Sequence, residues 1–202
     1  MRLYDHPASA NCVKARILLR QLGVPFERVE LDIFAGAARA PEHRERNPDG
    51  RVPVLETDDG DLIPESGAIL LYLAAGTAFL PADREAQARV HQWLFFEQNQ
   101  VEPGIGVARF MARRGLAEQH PDVFAYHQAQ GVRALKTLSR GLADGRPFIA
   151  SDTYTVADIA LYGYVHCAPD VGADPDLNVQ AWLARVQETP GFENDLEPIP
   201  AS

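Results

Sequence analysis

Ser9, Asn11 and Lys14 lie within six residues of one another, where a short apolar segment (residues 2–4) gives way to a helical pattern. A helix start presents unpaired N–H groups and the positive end of the helix dipole, a place where an anion is stabilised. A hydroxyl at that point can cap the helix, which requires no ligand. It can also donate a hydrogen bond to a bound thiolate. A second stretch, Asn47-Pro48-Asp49-Gly50-Arg51-Val52-Pro53-Val54-Leu55, places Pro53 where a strand interior would not tolerate proline. A cis Val52–Pro53 bond resolves the conflict and leaves the Val52 backbone open to an extended peptide; a trans proline at a strand edge is the alternative. In the third stretch, Pro64-Glu65-Ser66-Gly67, an acid precedes a serine that can cap the next helix. A carboxylate for an ammonium, and a hydroxyl with free N–H groups for a carboxylate, suit the two ends of a γ-glutamyl group. A simple capped helix accounts for Ser66 and leaves Glu65 and Gly67 unexplained.

These stretches belong to one half of the chain. Residues 2–4 read as a strand, and Val13, Ile17, Leu18 and Leu22 recur at helical spacing until Gly23 and Pro25 stop the helix. Val29, Leu31 and Ile33 alternate with Glu30 and Asp32 as in a half-buried strand, so the three segments predict a βαβ unit. Residues 52–56, a turn at Asp58-Asp59-Gly60, and Leu62-Ile63 predict an antiparallel hairpin, followed by a helix from Ser66. Beyond Gly76 strand-like alternation disappears. Residues 86–114 read as one long helix bent at Pro103-Gly104-Ile105-Gly106, and residues 123–142 as another. Residues 156–165 are apolar on nearly every face, and Val179, Trp182, Leu183 and Val186 mark a peripheral helix. Thr155 with Asp158 fits a capping box that serves folding. The tail beyond Pro190 is expected to be loosely ordered.

Composition narrows the function. The 202 residues carry 19 Lys plus Arg against 28 Asp plus Glu, a net charge of −9, which disfavours a nucleic-acid surface. Neither an apolar run of spanning length nor a secretory signal is visible, so no membrane association and a cytoplasmic location are expected. Cys12 and Cys167 form neither a C-x-x-C nor a zinc pattern, so no metal is expected, and Cys12 reads as a packed thiol.

With these motifs in this order, the chain resembles the cytosolic, bacterial-type glutathione S-transferases from end to end, either a serine-type or a nu-class-like member. The resemblance implies an α/β thioredoxin-like N-terminal domain (residues 1–76), a linker (77–84) and an all-α helical-bundle domain (85–202). It also implies a homodimer with glutathione as co-substrate and a role in detoxification. Pro53 would be the cis proline, Val52 would pair with the cysteinyl unit, and Glu65 and Ser66 would hold the γ-glutamyl end. Arg51 would approach the glycine carboxylate, with Arg39 as a substitute for the Gln or His that Ala38 replaces. Ser9 is the first candidate for activating the thiol, Asn11 the second and Tyr4 the third. Phe96, Arg109 and Phe110 would line the electrophile pocket. Conjugation of the thiolate to a small electrophile is the leading activity. Glutathione-dependent disulfide reduction and a non-catalytic transferase-like scaffold are the alternatives.

Overall fold

The computed structural model describes residues 1–200, which divide into two compact units: Met1–Ala75 with Pro190–Pro198, and Gly76–Thr189 with the end of the chain.

In the first unit, β1 (Arg2–Asp5), α1 (Ala10–Gln21) and β2 (Glu27–Glu30) form the βαβ unit, with β1 and β2 parallel in the register Leu3↔Arg28. A 3-10 turn (Ala37–Arg39) and the one-turn helix α2 (Pro41–Arg44) follow. Then β3 (Val54–Glu56) pairs antiparallel with β1 and with β4 (Leu62–Pro64), giving the order β2-β1-β3-β4. Pro64 sits on the edge strand, where its missing N–H costs no ladder bond. Helix α3 (Ser66–Ala74) packs against α1. Leu3 and Leu55 meet across the sheet, and Ile17, Leu18, Ile69 and Leu70 complete the core, all fully buried.

Two expectations are corrected here. The strand expected over Val29 to Ile33 lies earlier, at Glu27–Glu30. The reason is Asp32, whose Oδ1 accepts from the N–H groups of Phe34 and Ala35 (3.0 Å each) and turns the chain. The tail, expected to be loosely ordered, is instead anchored on α1: Asp195 receives Arg16 and Arg20 at 2.7 and 2.6 Å.

The second unit is helical. Helix α4 (Arg84–Phe96) starts at an Asp83 cap and continues through a π-helical stretch, Glu97–Gly106, into α5 (Val107–Arg113). The bend expected at Pro103 is thus a widened turn, which accommodates a residue without an N–H. A Cβ on Gly104 would lie 2.5 Å from the Gly131 nitrogen, so glycine lets this stretch meet α7 (Pro121–Gly141) backbone to backbone. A short α6 (Leu116–Gln119) precedes α7. All ten residues of α8 (Val156–Val165) are buried, and α9 (Leu177–Gln187) packs beside it.

Thr155 and Asp158 form the expected capping box. Asp158 does more than cap: its oxygens accept from the N–H groups of Ile149 (2.9 Å) and Thr155 (3.0 Å) and from the Trp182 indole (2.9 Å). Burial pushes its carboxyl up, against those hydrogen bonds. One acid thereby ties the start of α8 to α9 and to the 149 loop.

Candidate functional site

Ser9 caps α1, its Oγ accepting from the Cys12 N–H at 3.3 Å. That bond uses a lone pair and not the hydroxyl hydrogen, which also lies within reach of the Cys12 thiol, so capping does not by itself prevent donation to a ligand. The loop before it is held by its own backbone: the Ser9 N–H donates to the His6 carbonyl at 3.0 Å. Cys12 is fully buried, and burial pushes its thiol far up, consistent with a packed group. Tyr4, the third candidate, spends its hydroxyl on Glu56 at 2.7 Å, and burial together with that bond raises its phenol.

Lys14 completes the group at the start of α1. It is fully buried on α1 and donates from Nζ to Asn11 Oδ1 at 2.7 Å. An ammonium can only donate, so the oxygen end of the Asn11 amide faces Lys14, and Nδ2 is the end left for another acceptor. Ser66 Oγ lies 3.5 Å from the same Oδ1, which joins the start of α3 to the start of α1. A signal was present in the sequence: Asn and Lys at i and i+3 share a helix face. The chain has only two lysines among its 19 basic side chains, so arginine is not the cation used here.

The Arg51-Val52-Pro53 segment is fixed from below. His43, 2% exposed, places Nε2 2.9 Å from the Arg51 carbonyl, and Asn47 Nδ2 donates to the same oxygen at 3.0 Å. His43 therefore holds this loop. The Val52–Pro53 bond is cis, the first of the two ways to resolve the strand conflict. Among the described residues, the Val52 N–H and carbonyl have no hydrogen-bond partner. Gly50, at φ +67°, brings the loop against the 3-10 turn: a Cβ there would lie 3.0 Å from the Ala38 carbonyl and 3.6 Å from Arg39 Cα. Arg39 and Arg51 are both exposed, Arg51 pairing with Asp49 at 2.7 Å.

Glu65 is the one described non-glycine residue at positive φ, with φ 71° and ψ 118°. Such a conformation costs on the order of 1–3 kcal/mol and clusters at ligand-holding positions. Its side chain is exposed, whereas Ser66, next to it, is 5% exposed.

The three acceptor-side residues expected from the sequence fall in the helical unit. Phe96 is half-buried and packs edge-on against Trp93, with centroids 5.2 Å apart. Phe110 on α5 is 42% exposed. Arg109 is buried and bonded to Asp170 at 3.1 Å, so its charge is matched within the unit.

His6 lends the Ser9 loop a pH limit. Its Nδ1 accepts from the Ala8 N–H at 3.1 Å, a bond only the neutral ring can make. Burial pushes its pKa down, against the pull of Asp32 and Asp5. A group whose folded pKa is depressed binds its proton more readily when unfolded. Its contribution is therefore present above about pH 6.5 and is lost as pH falls through the lower folded value. In His6→Asn an amide oxygen replaces Nδ1 as acceptor. The melting temperature of the native protein should fall more steeply between about pH 7 and 5 than that of the variant. Parallel pH profiles would remove His6 from this role.

The two units form the glutathione transferase fold: a thioredoxin-like β/α domain followed by a helical domain. Residues 3–78 match the family described as Glutathione S-transferase, N-terminal domain. Glutathione S-transferase 3 of Zea mays is 31% identical, over 99% of this chain and 95% of that protein. A glutathione S-transferase structure from Pseudomonas fluorescens Pf-5 superposes with a TM-score of 0.92 at 38% identity, covering 97% of this chain and 98% of that one. A glutathione transferase family member from the same organism, with two glutathione bound, gives 0.84 at 27% identity, covering 97% and 92%. The chain belongs to the glutathione S-transferase family.

Proposed function

We propose that the protein binds glutathione and transfers its thiolate to a small electrophile. In this reading Glu65 takes the γ-glutamyl ammonium. Ser66 and the first N–H groups of α3 take the α-carboxylate. Val52 pairs through its backbone with the cysteinyl unit. Arg39 and Arg51 meet the glycine carboxylate. At the sulfur, the Ser9 hydroxyl and the Asn11 amide nitrogen donate. The thiolate then attacks the acceptor carbon, forming a C–S bond as the leaving group departs with the electron pair. The acceptor-side candidates are Phe96 and Phe110. The resemblance that suggests this reaction also suggests a homodimer.

The observation that carries the reading is the meeting of Ser66 Oγ with Asn11 Oδ1 at 3.5 Å, because it brings together the residue read as the γ-glutamyl anchor and a residue read as a thiol donor. An ordinary thiol titrates near pH ~8.5, and lowering it by two units takes about 2.7 kcal/mol of preferential thiolate binding. Two donors at a helix start, each contributing about 1–2 kcal/mol to an anionic acceptor, suffice.

Glutathione-dependent disulfide reduction is the second reading, favoured by the Lys14-oriented Asn11 amide and the nu-class-like pattern it completes. Retention on immobilised glutathione should come first, since failure to bind would leave only the scaffold. Turnover of an aryl halide beside a small disulfide then separates the two chemistries. Conjugation without disulfide turnover supports the leading reading, and the reverse result replaces it.

A further inference from the structure

We propose that the C-terminal segment Pro190–Pro198, acting through Asp195 and Arg16, positions the loop that carries Ser9. The inference rests on the reading of Ser9 as thiol donor and adds a positioning element 186 residues away in sequence.

The chain of contacts is continuous. Arg16 is fully buried on α1 and its guanidinium is held on three sides: Nε to Asp195 Oδ1 at 2.7 Å, Nη1 to Asp5 Oδ1 at 2.6 Å, and Nη2 to the Pro7 carbonyl at 3.3 Å. The Pro7 carbonyl, two residues before Ser9, also accepts from the Glu197 N–H at 3.1 Å. The segment therefore touches the loop twice, once directly and once through Arg16. Asp5, at the loop's start, is completed by Arg28 at 2.6 Å on its other oxygen. Asp195 also takes Arg20 at 2.6 Å, while Glu193 pairs with Arg20 only at the rim, at 3.3 Å and 62% exposed.

Charge counting explains why Asp195 matters. Three guanidiniums, Arg16, Arg20 and Arg28, converge on two inner carboxylates, Asp5 and Asp195. Burial alone would raise the Asp195 carboxyl, but the hydrogen bonds from Arg20 and Arg16 hold it below its usual range. Without its charge, Arg16 is left buried with Asp5 alone, which Arg28 also claims. A planar fork that loses one of three anchors can turn, and its turn moves the Pro7 carbonyl. A displacement of a fraction of an ångström at a catalytic donor is enough to lower turnover severalfold.

The test is a double-mutant cycle of Asp195→Asn and Ser9→Gly in the full chain, read by kcat, glutathione KM, melting temperature and titration of the bound thiol. Asp195→Asn should lower kcat about tenfold and raise the bound thiol pKa by about one unit, with KM within about twofold. In the Ser9→Gly background it should add almost nothing, because both changes act on one donor. Asp195→Glu should recover much of the loss, and Glu193→Gln should leave turnover unchanged. A lower melting temperature with native kcat and thiol titration would overturn the proposal, as would an additive effect in the Ser9→Gly background. If Ser9→Gly itself leaves the titration unchanged, the assignment of Ser9 fails first and the proposal falls with it. If Asp195→Asn does not fold, Arg20→Gln provides the second arm. It removes one anchor of Asp195 from a partly exposed position, and unchanged kcat there counts against the proposal.

Discussion

Glu65→Gly is expected to make the protein more stable and nearly unable to bind glutathione. Glu65 holds φ 71° without being glycine, and the surrounding fold sustains a cost on the order of 1–3 kcal/mol. Glycine occupies that region freely but loses about 0.5–1 kcal/mol through the unfolded chain. The net gain is about 1 kcal/mol, or roughly 2–4 °C in melting temperature for a chain of this size. Loss of the carboxylate that meets the γ-glutamyl ammonium removes a charged hydrogen bond of about 2–3 kcal/mol, roughly a hundredfold in affinity. Glu65→Ala should lose the same affinity without the gain, because its Cβ keeps the strain. Calorimetry on the two variants reads both quantities. A destabilised Glu65→Gly would mean that the conformation is not strained, and full affinity in Glu65→Ala would mean that the carboxylate does not touch the ligand.

The second large effect falls on Ser9. Removing one donor from a thiolate held at a helix start should lower kcat about a hundredfold, within the range seen for preorganised donors to a developing anion, and leave glutathione KM little changed. The substitution must be chosen so that capping is not confused with catalysis. Alanine removes both functions and costs about 1 kcal/mol of stability, whereas glycine caps almost as well as serine. Ser9→Gly therefore isolates the hydroxyl, and Ser9→Thr restores it. If Ser9→Ala and Ser9→Gly lose stability by their different amounts yet both retain full turnover, Ser9 is only a cap.

Much of this was legible because the deciding residues break a local rule. Pro53 between two β-branched residues forces the chain out of an ordinary strand. Ser66, expected to cap α3, does not: Glu65 holds the N-cap position with no side-chain cap bond, and the Ser66 hydroxyl turns to Asn11 instead. Thr155 and Asp158 could be recognised as a folding device because a lone acid in an apolar helix must be paired inside the core. What escaped were contacts that depend on distant partners. The helical periodicity of α1 put Val13 and Ile17 inward, but the helix is buried on every side, so Lys14 and Arg16 are buried as well. No local pattern reports that Arg16 will meet Asp195 across 179 positions. His43 was equally opaque, since its partner is a backbone carbonyl whose position depends on the turn at Gly50. The end of β2 was misplaced for a smaller reason: alternation continued past Asp32, whose side chain takes the next N–H groups and ends the strand.

The claim on which the rest depends is that the cradle of Ser9, Asn11 and Ser66 holds glutathione as its thiolate. Titrating the ultraviolet absorbance of the bound thiolate, in the native protein and in Ser9→Gly, tests it directly. The native complex should titrate about two units below the free thiol's ~8.5, and the variant should recover at least one of those units. A bound thiol that titrates like free glutathione in the native protein, or an identical depressed value in both proteins, would contradict the account.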